Sequence, residues 1–419
     1  MKRKVYYLDA IFVLMNISSP YTLIPCFLFT KSTGVNSAII FILTLFYIFF
    51  RFRNRIKLSI DKLLVVFAIL SVYNLVNATA QGTLAFGFVC TFLANCTFYT
   101  LLYNLYCDYK KTYSSQDTVK IISEGYVWLC FYQLFIVALM VLMIKAHIIN
   151  PLSNEITWDY DIFADNASRF YSPDRYFFPL HLSVVCQETM ERLPFLNMEG
   201  VLPLGMFHEP HTMTYYIVPF LFLMHCFYSR KKLLLLDALF AVYMLIAAST
   251  TNILCVLSVL LLWSVLKEKK MIIIYGIIAF TAVGTLQIND NPIIDLIKFK
   301  LESGSMEYSA STLDFAFKPN TLFGTNFYDM SYLDSGLKNY DIGYIVFIFN
   351  IVFLLLFIYR TVRLCLSSNN LYRCVGLFST YFILHSAKLA LRTYSLEMLM
   401  FVIFMVTICS NERKQKQYA

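Results

Sequence analysis

An all-α polytopic membrane protein, with about twelve transmembrane helices and two large outer loops, is the fold class this sequence predicts, on three observations. Apolar residues make up 59% of the 419, and charged residues only 14%, against about 25% charged in a soluble domain. The apolar residues are gathered into runs of the length needed to cross a hydrocarbon core about 30 Å thick, about 20 residues each. Lys and Arg fall in alternate connections between those runs, which is the asymmetry that orients spans in a membrane.

Measured on that ruler, spans are expected at about 8–29, 35–50, 62–80, 84–107, 119–144, 210–228, 233–249, 252–266, 271–288, 341–359, 373–391 and 394–410. Five of them fill 1–144. A long connection follows at 145–209, four more spans at 210–288, a second long connection at 289–340, and the last three spans with a tail at 341–419. Most of the 34 Lys and Arg residues, in MKRK, RFRNRIK, Lys110–Lys111, RKK at 230–232, KEKK at 267–270 and the tail, lie on one side. Both termini are therefore expected in the cytoplasm and both long connections outside. The opening MKRKVYYLDAIFVLMNISSP has the basic start of a signal peptide. Asp9 interrupts its apolar part and no A-x-A-like cleavage site follows, so it is read as a retained first helix.

The net charge of +8 is dispersed in short clusters at the ends of spans, and no nucleic-acid partner follows from it. Ten of the eleven cysteines fall in spans or near the cytoplasmic side, so a disulfide-stapled outer domain is not expected. Cys90, Cys96 and Cys255 read as small buried hydrophobes. The first long connection is rich in aromatics such as Trp158, Tyr160, Phe170 and Tyr171, and carries Arg169, Arg175 and Arg192. Short helices at the outer surface are expected there, and connections this long are usually functional.

The stretch GMFHEPHTMTYYIVPF at 205–220 places three titratable side chains at the mouth of an apolar run. It is not the zinc-protease pattern H-E-x-x-H, in which histidines one turn apart hold the metal. His211 follows His208 by three positions, Pro210 would break the helix carrying the pair, and no third ligand is suggested by spacing. No metal and no cofactor are expected. Pro is favoured at the first helical position, so a helix should start at Pro210, with Glu209 capping it and His211 in its first turn. Such a terminus favours anions, phosphate included, and His211, Thr212 and Tyr215 share the face behind it. A plain helix cap and a reactive carboxylate are both compatible with this pattern.

Lys388 and Arg392, in KLALRTYS at the outer hairpin of the last two spans, are four apart and share a helical face. An arginine fork matches phosphate oxygens two at a time, so either a diphosphate or lipid headgroups reached by snorkelling side chains would suit them. Asp329, Asp334 and Asp341 stand near the end of the second long connection. A carboxylate there fits proton transfer from a hydroxyl or the capping of turns. The DYD at 159–161 matches the metal-binding pattern of nucleotide-sugar enzymes only as a short chance pattern. His225 and His385, inside spans, are read as core histidines, although any ionisable group within a membrane is a candidate for function.

The arrangement resembles the bacterial O-antigen polymerases of the Wzy type, within the O-antigen ligase and polymerase superfamily. The resemblance lies in the span architecture with two large loops. It lies also in GMFHEPHTMTYY, which is similar to that family's G-x-F-x-E-P segment leading into a helix, and in PNTLFGTNFY followed by DSGLKNYDIGYIVFIFN. It implies transfer of a growing glycan from undecaprenyl diphosphate to a sugar hydroxyl of an incoming lipid-linked unit, at the periplasmic face of the inner membrane. The partners implied are undecaprenyl-diphosphate-linked glycans and the lipid bilayer, with room for a chain-length regulator protein. That reaction needs a base, for which Glu209 helped by His208 or His211 is the candidate. It also needs cations on the departing diphosphate, for which Arg192, Arg392 and Lys388 are candidates, with Arg169, Arg175, Asp334 and Tyr215 as further substrate contacts. Fixed cations can stabilise the leaving charge without a metal. A ligase of the same superfamily, moving the glycan to another acceptor, fits the same motifs. A lipid-linked oligosaccharide flippase fits the span count, although no internal repeat relates the two halves.

Overall fold

The computed structural model describes residues 2–18, 33–53, 62–80, 86–146, 148, 175–178, 182–186, 201–207, 210–228, 230–247, 250–267, 344–385 and 396–418. They are mostly helical. Helices α1 (Lys2–Ser18), α2 (Thr33–Phe52), α3 (Lys62–Ala80), α4 (Phe86–Tyr109) and α5 (Ser115–Lys145) precede a small sheet of β1 (Arg175–Phe178), β2 (Leu182–Cys186) and β3 (Val201–Gly205). Helices α6 (Pro210–Met224), α7 (Arg230–Ala247), α8 (Thr250–Lys267), α9 (Tyr344–Cys365), α10 (Asn370–His385) and α11 (Leu396–Tyr418) follow it. Each helix overlaps an apolar run read from the sequence; the run at 271–288 lies outside the described residues, as do the second long connection and most of the first. Among the described residues, one stretch is long and apolar enough to cross a membrane, the 20-residue Glu124–Met143 of α5. At 1.5 Å per residue it is about 30 Å long. Tyr6–Ser18, Ala38–Phe52 and Tyr215–Met224 are shorter apolar helices.

Local chemistry sets the helix starts. Ahead of α5, Ser114 Oγ accepts from the Asp117 amide at 3.2 Å and donates to Asp117 Oδ2 at 2.7 Å, a cap that occupies one orphan donor of the first turn. Ahead of α10, Asn369 Oδ1 accepts from the Leu371 and Tyr372 amides at 2.9 and 3.4 Å. Pro210 opens α6 as its first residue, where a missing N–H costs nothing.

The first long connection holds strands where short helices were expected. The sheet is an antiparallel meander in the order β1-β2-β3, with Arg175 opposite Val185, Phe178 opposite Leu182 and Val184 opposite Pro203. RYFF carries three aromatic residues, LSVVC two β-branched valines and VLPLG one, in runs of four or five residues. Such residues favour a pleated surface, and the runs are too short to close a stable helix. Pro203 is tolerated because β3 is an edge strand.

Packing gathers the helices round α5, α6, α10 and α11. Tyr126 of α5 meets Phe220 of α6 at 6.0 Å and Phe401 of α11 at 5.5 Å between ring centroids. Helix α1 lies directly on α5 at Gly125, where a Cβ would come 2.2 Å from the Ala10 carbonyl oxygen and 2.7 Å from the Leu14 nitrogen. Other faces point outward with large apolar side chains. On α2, Phe46, Phe49 and Phe50 are 69%, 62% and 61% exposed, while Tyr47 and Ile48 of the same helix are buried.

One end of the bundle is tied by charge. Asp9, noted in the sequence only as an interruption, is buried and accepts from Tyr47 Oη at 2.5 Å, Arg51 Nε at 3.1 Å and the Tyr109 hydroxyl. Arg51 Nη2 also reaches Asp108 at 2.9 Å. Beside it, Glu412 of α11 accepts from Tyr106 at 2.5 Å, Ser115 at 2.9 Å and Lys110 at 3.0 Å. Burial pushes the Glu412 carboxyl up, but the hydrogen bonds from Tyr106, Lys110 and Ser115 outweigh it, and the group is held below the ordinary carboxylate range. These contacts join α1, α2, α4, α5 and α11 near the sequence positions of the basic clusters. Among the described residues the cysteines are all free.

Candidate functional site

The opposite end of the bundle holds the junction between β3 and α6, where GMFHEPH begins. Gly205 ends β3 with φ at 62°, a left-handed backbone that glycine adopts without strain. The chain then turns, with the Phe207 amide donating to the Leu204 carbonyl at 3.3 Å. Leu204, Met206 and Phe207 are fully buried, so this irregular backbone runs among packed side chains and needs partners other than water.

A side chain from α5 supplies them. Gln133 Nε2 donates to the Leu204 carbonyl at 2.7 Å, and its Oε1 accepts from the Met206 amide at 3.1 Å. A Cβ on Gly205 would lie 2.5 Å from Gln133 Oε1 and 2.8 Å from Ile136 Cγ2, so the amide sits against bare backbone. Past the junction, Phe207 stacks obliquely on Tyr216 at 5.1 Å. Tyr126, on the same face of α5 as Gln133 and two turns before it, donates to the Tyr216 carbonyl of α6, and Cys130 Sγ lies 3.9 Å from the same oxygen. Pro219 lies within α6 and, having no N–H, donates no hydrogen bond to the turn before it.

Tyr215 is buried, with its ring edge-on to Phe382 at 4.9 Å and to His385 at 5.4 Å. His385, the last described residue of α10, is buried and also meets Tyr381 at 5.7 Å. The end of α10 and the first turns of α6 therefore lie together. His225, at the far end of α6, pairs with Asp237 at 3.1 Å and stands edge-on to Trp263 at 4.5 Å, which makes it a packed, partnered histidine rather than part of this site.

Of the residues singled out in the sequence, His211 lies in the first turn of α6 and Arg175 opens β1 opposite Val185. His208, Glu209, Arg169, Arg192, Asp334, Lys388 and Arg392 lie outside the described residues. Gln133, Tyr126 and Cys130 went unnoticed in the sequence. The signal was present: they fall at i, i+4 and i+7 on α5, one helical face, and Gln133 is a carboxamide in the middle of FYQLFIVALM. Among the described residues no three His, Cys, Asp or Glu side chains gather to hold a metal ion.

Comparisons with known protein families, with curated proteins and with solved structures find no match to this chain.

Proposed function

We propose that this protein spans a bacterial inner membrane twelve times, with both termini cytoplasmic and two long loops outside, and polymerises lipid-linked oligosaccharide repeat units at the outer face. The outward-facing Phe46, Phe49 and Phe50 of α2 and the span-length Glu124–Met143 support the membrane setting, because apolar patches of that kind are costly in water. In the reaction, a hydroxyl oxygen of the incoming unit attacks the anomeric carbon of the growing glycan. The bond from that carbon to the diphosphate oxygen breaks, undecaprenyl diphosphate leaves with the electron pair, and the hydroxyl proton passes to Glu209. Glu209 precedes a helix N-terminus, which favours its ionised form. His208 and His211 flank it, and Lys388, Arg392 and Arg192 face the leaving diphosphate. Arg169, Arg175, Tyr215 and Asp334 contribute to the walls of the substrate groove.

The observation that carries this reading is a convergence. Helix α6 begins at Pro210, next to Glu209, and α10 ends at His385, whose ring is 5.4 Å from Tyr215 of α6. Lys388 is three residues farther along, within about 11 Å of His385 by chain length alone. The segments that carry the candidate base and one candidate diphosphate cation, Lys388, thus leave from neighbouring helix ends.

Labelling of introduced cysteines from each side of the membrane tests the arrangement. Positions in 155–200 and 300–335 are expected to react from outside, and both termini and the RFRNRIK connection from the cytoplasm. A long loop that reacts only from the cytoplasm would remove the lipid-linked donor from reach and end the polymerase reading.

A further inference from the structure

Gln133 is a carboxamide in the interior of the 20-residue apolar stretch Glu124–Met143, and none of it is exposed. An amide buried without partners costs about 1–3 kcal/mol in proteins, so its position asks for a reason. Both of its polar groups are spent on one short piece of chain, the Leu204 carbonyl and the Met206 amide. Gly205 between them leaves no room for any side chain against the amide. On the far side of the junction, Tyr126 and Cys130 from the same face of α5 reach the Tyr216 carbonyl of α6. One face of α5 therefore grips the chain before and after the step from strand to helix. Only two residues separate Phe207 from Pro210, three Cα steps of about 3.8 Å each, so the grip at Leu204–Met206 determines where α6 begins. Sliding the junction by one residue would leave the amide and two backbone groups unpaired in an apolar interior, a cost that gives the hold a definite register.

We propose that Gln133 is a positioning residue for glycosyl transfer. Its two hydrogen bonds to Leu204 and Met206 fix the start of α6, and with it the first turn that carries His211 and follows Glu209. The inference rests on the polymerase reading of that turn. A displacement of about 1 Å in a reacting group can cost about 100-fold in rate.

The test uses the full-length protein in lipid vesicles with a lipid-linked repeat unit, comparing wild type with Gln133→Leu and Gly205→Ala. Two quantities are read: hydrogen exchange in peptides containing the Met206 amide, and kcat and KM for chain extension. Both variants are expected to exchange faster at Met206, with kcat down about 100-fold and KM little changed, the pattern of lost transition-state alignment rather than lost binding. Gln133→Glu, whose fully buried carboxyl is held protonated and so offers an acceptor for Met206 and an O–H donor for Leu204, is expected to stay closest to wild type in both readouts and guards against a variant that fails to fold. In Gln133→Leu and Gly205→Ala, unchanged exchange at Met206, or faster exchange with unchanged kcat, overturns the positioning role. If wild type extends nothing, the polymerase reading falls instead, and the exchange arm still shows whether Gln133 holds the junction.

Discussion

Glu209→Gln is expected to abolish long-chain product while the protein accumulates in the membrane at the wild-type level. The side chains differ by one charge and hardly in shape, so a residue serving only as a helix cap would tolerate the change. Glu209→Asp separates the two roles further, because aspartate is among the preferred capping residues yet falls one methylene short of a hydroxyl that glutamate reaches. A cap predicts that Asp equals or betters Glu. General acid–base participation, worth about 10²–10⁴-fold, predicts that both substitutions fail. Chain-length distributions on gels, at matched expression, give the answer, and retained chain length in Glu209→Gln would return the residue to a capping role.

Asp9→Ala is expected to give the largest loss of stability among single changes at the tied end of the bundle. Asp9 accepts from Tyr47, Arg51 and Tyr109, and its side chain is only 4% exposed. Removing one partner of a buried ion pair costs about 3–5 kcal/mol. Asp108 remains as a second partner for Arg51 at 2.9 Å, which places the cost toward the lower end of that range. Heating the detergent-solubilised protein and following loss of the monodisperse species should show a clearly lower midpoint. Asp9→Asn, which still accepts from the two hydroxyls, should lie between. A midpoint equal to wild type in Asp9→Ala would show that the network contributes nothing to holding α1, α2 and α4 together.

Helices were the most legible part of the sequence because their signal is long. An apolar run of about 20 residues leaves few alternatives, and Pro210 marked the start of α6 because its missing N–H belongs at a first turn. The strands were not legible by the same reading. LSVVC is shorter than any window tuned to spans, and its partner VLPLG carries a proline that argues against a strand until its edge position is known. Asp9 looked like a flaw in a signal peptide, because sequence order does not show that Arg51 and Tyr109, 42 and 100 residues away, return to it. Gln133 was overlooked for a similar reason. Its partners are backbone groups of Leu204 and Met206, and no side-chain pattern reports where a backbone carbonyl will go. At the site itself, the sequence marked Tyr215 and His385 separately, and only the packing of α6 on α10 joined them.

Chain extension by the purified protein tests the central claim most directly. Wild-type protein in lipid vesicles, given a single lipid-linked repeat unit, is expected to yield a ladder of products spaced by one repeat, with release of undecaprenyl diphosphate in step with each added unit. Glu209→Gln in the same vesicles should leave the starting unit unchanged. Consumption of the unit without a ladder, or a ladder of equal yield from Glu209→Gln, would contradict the account.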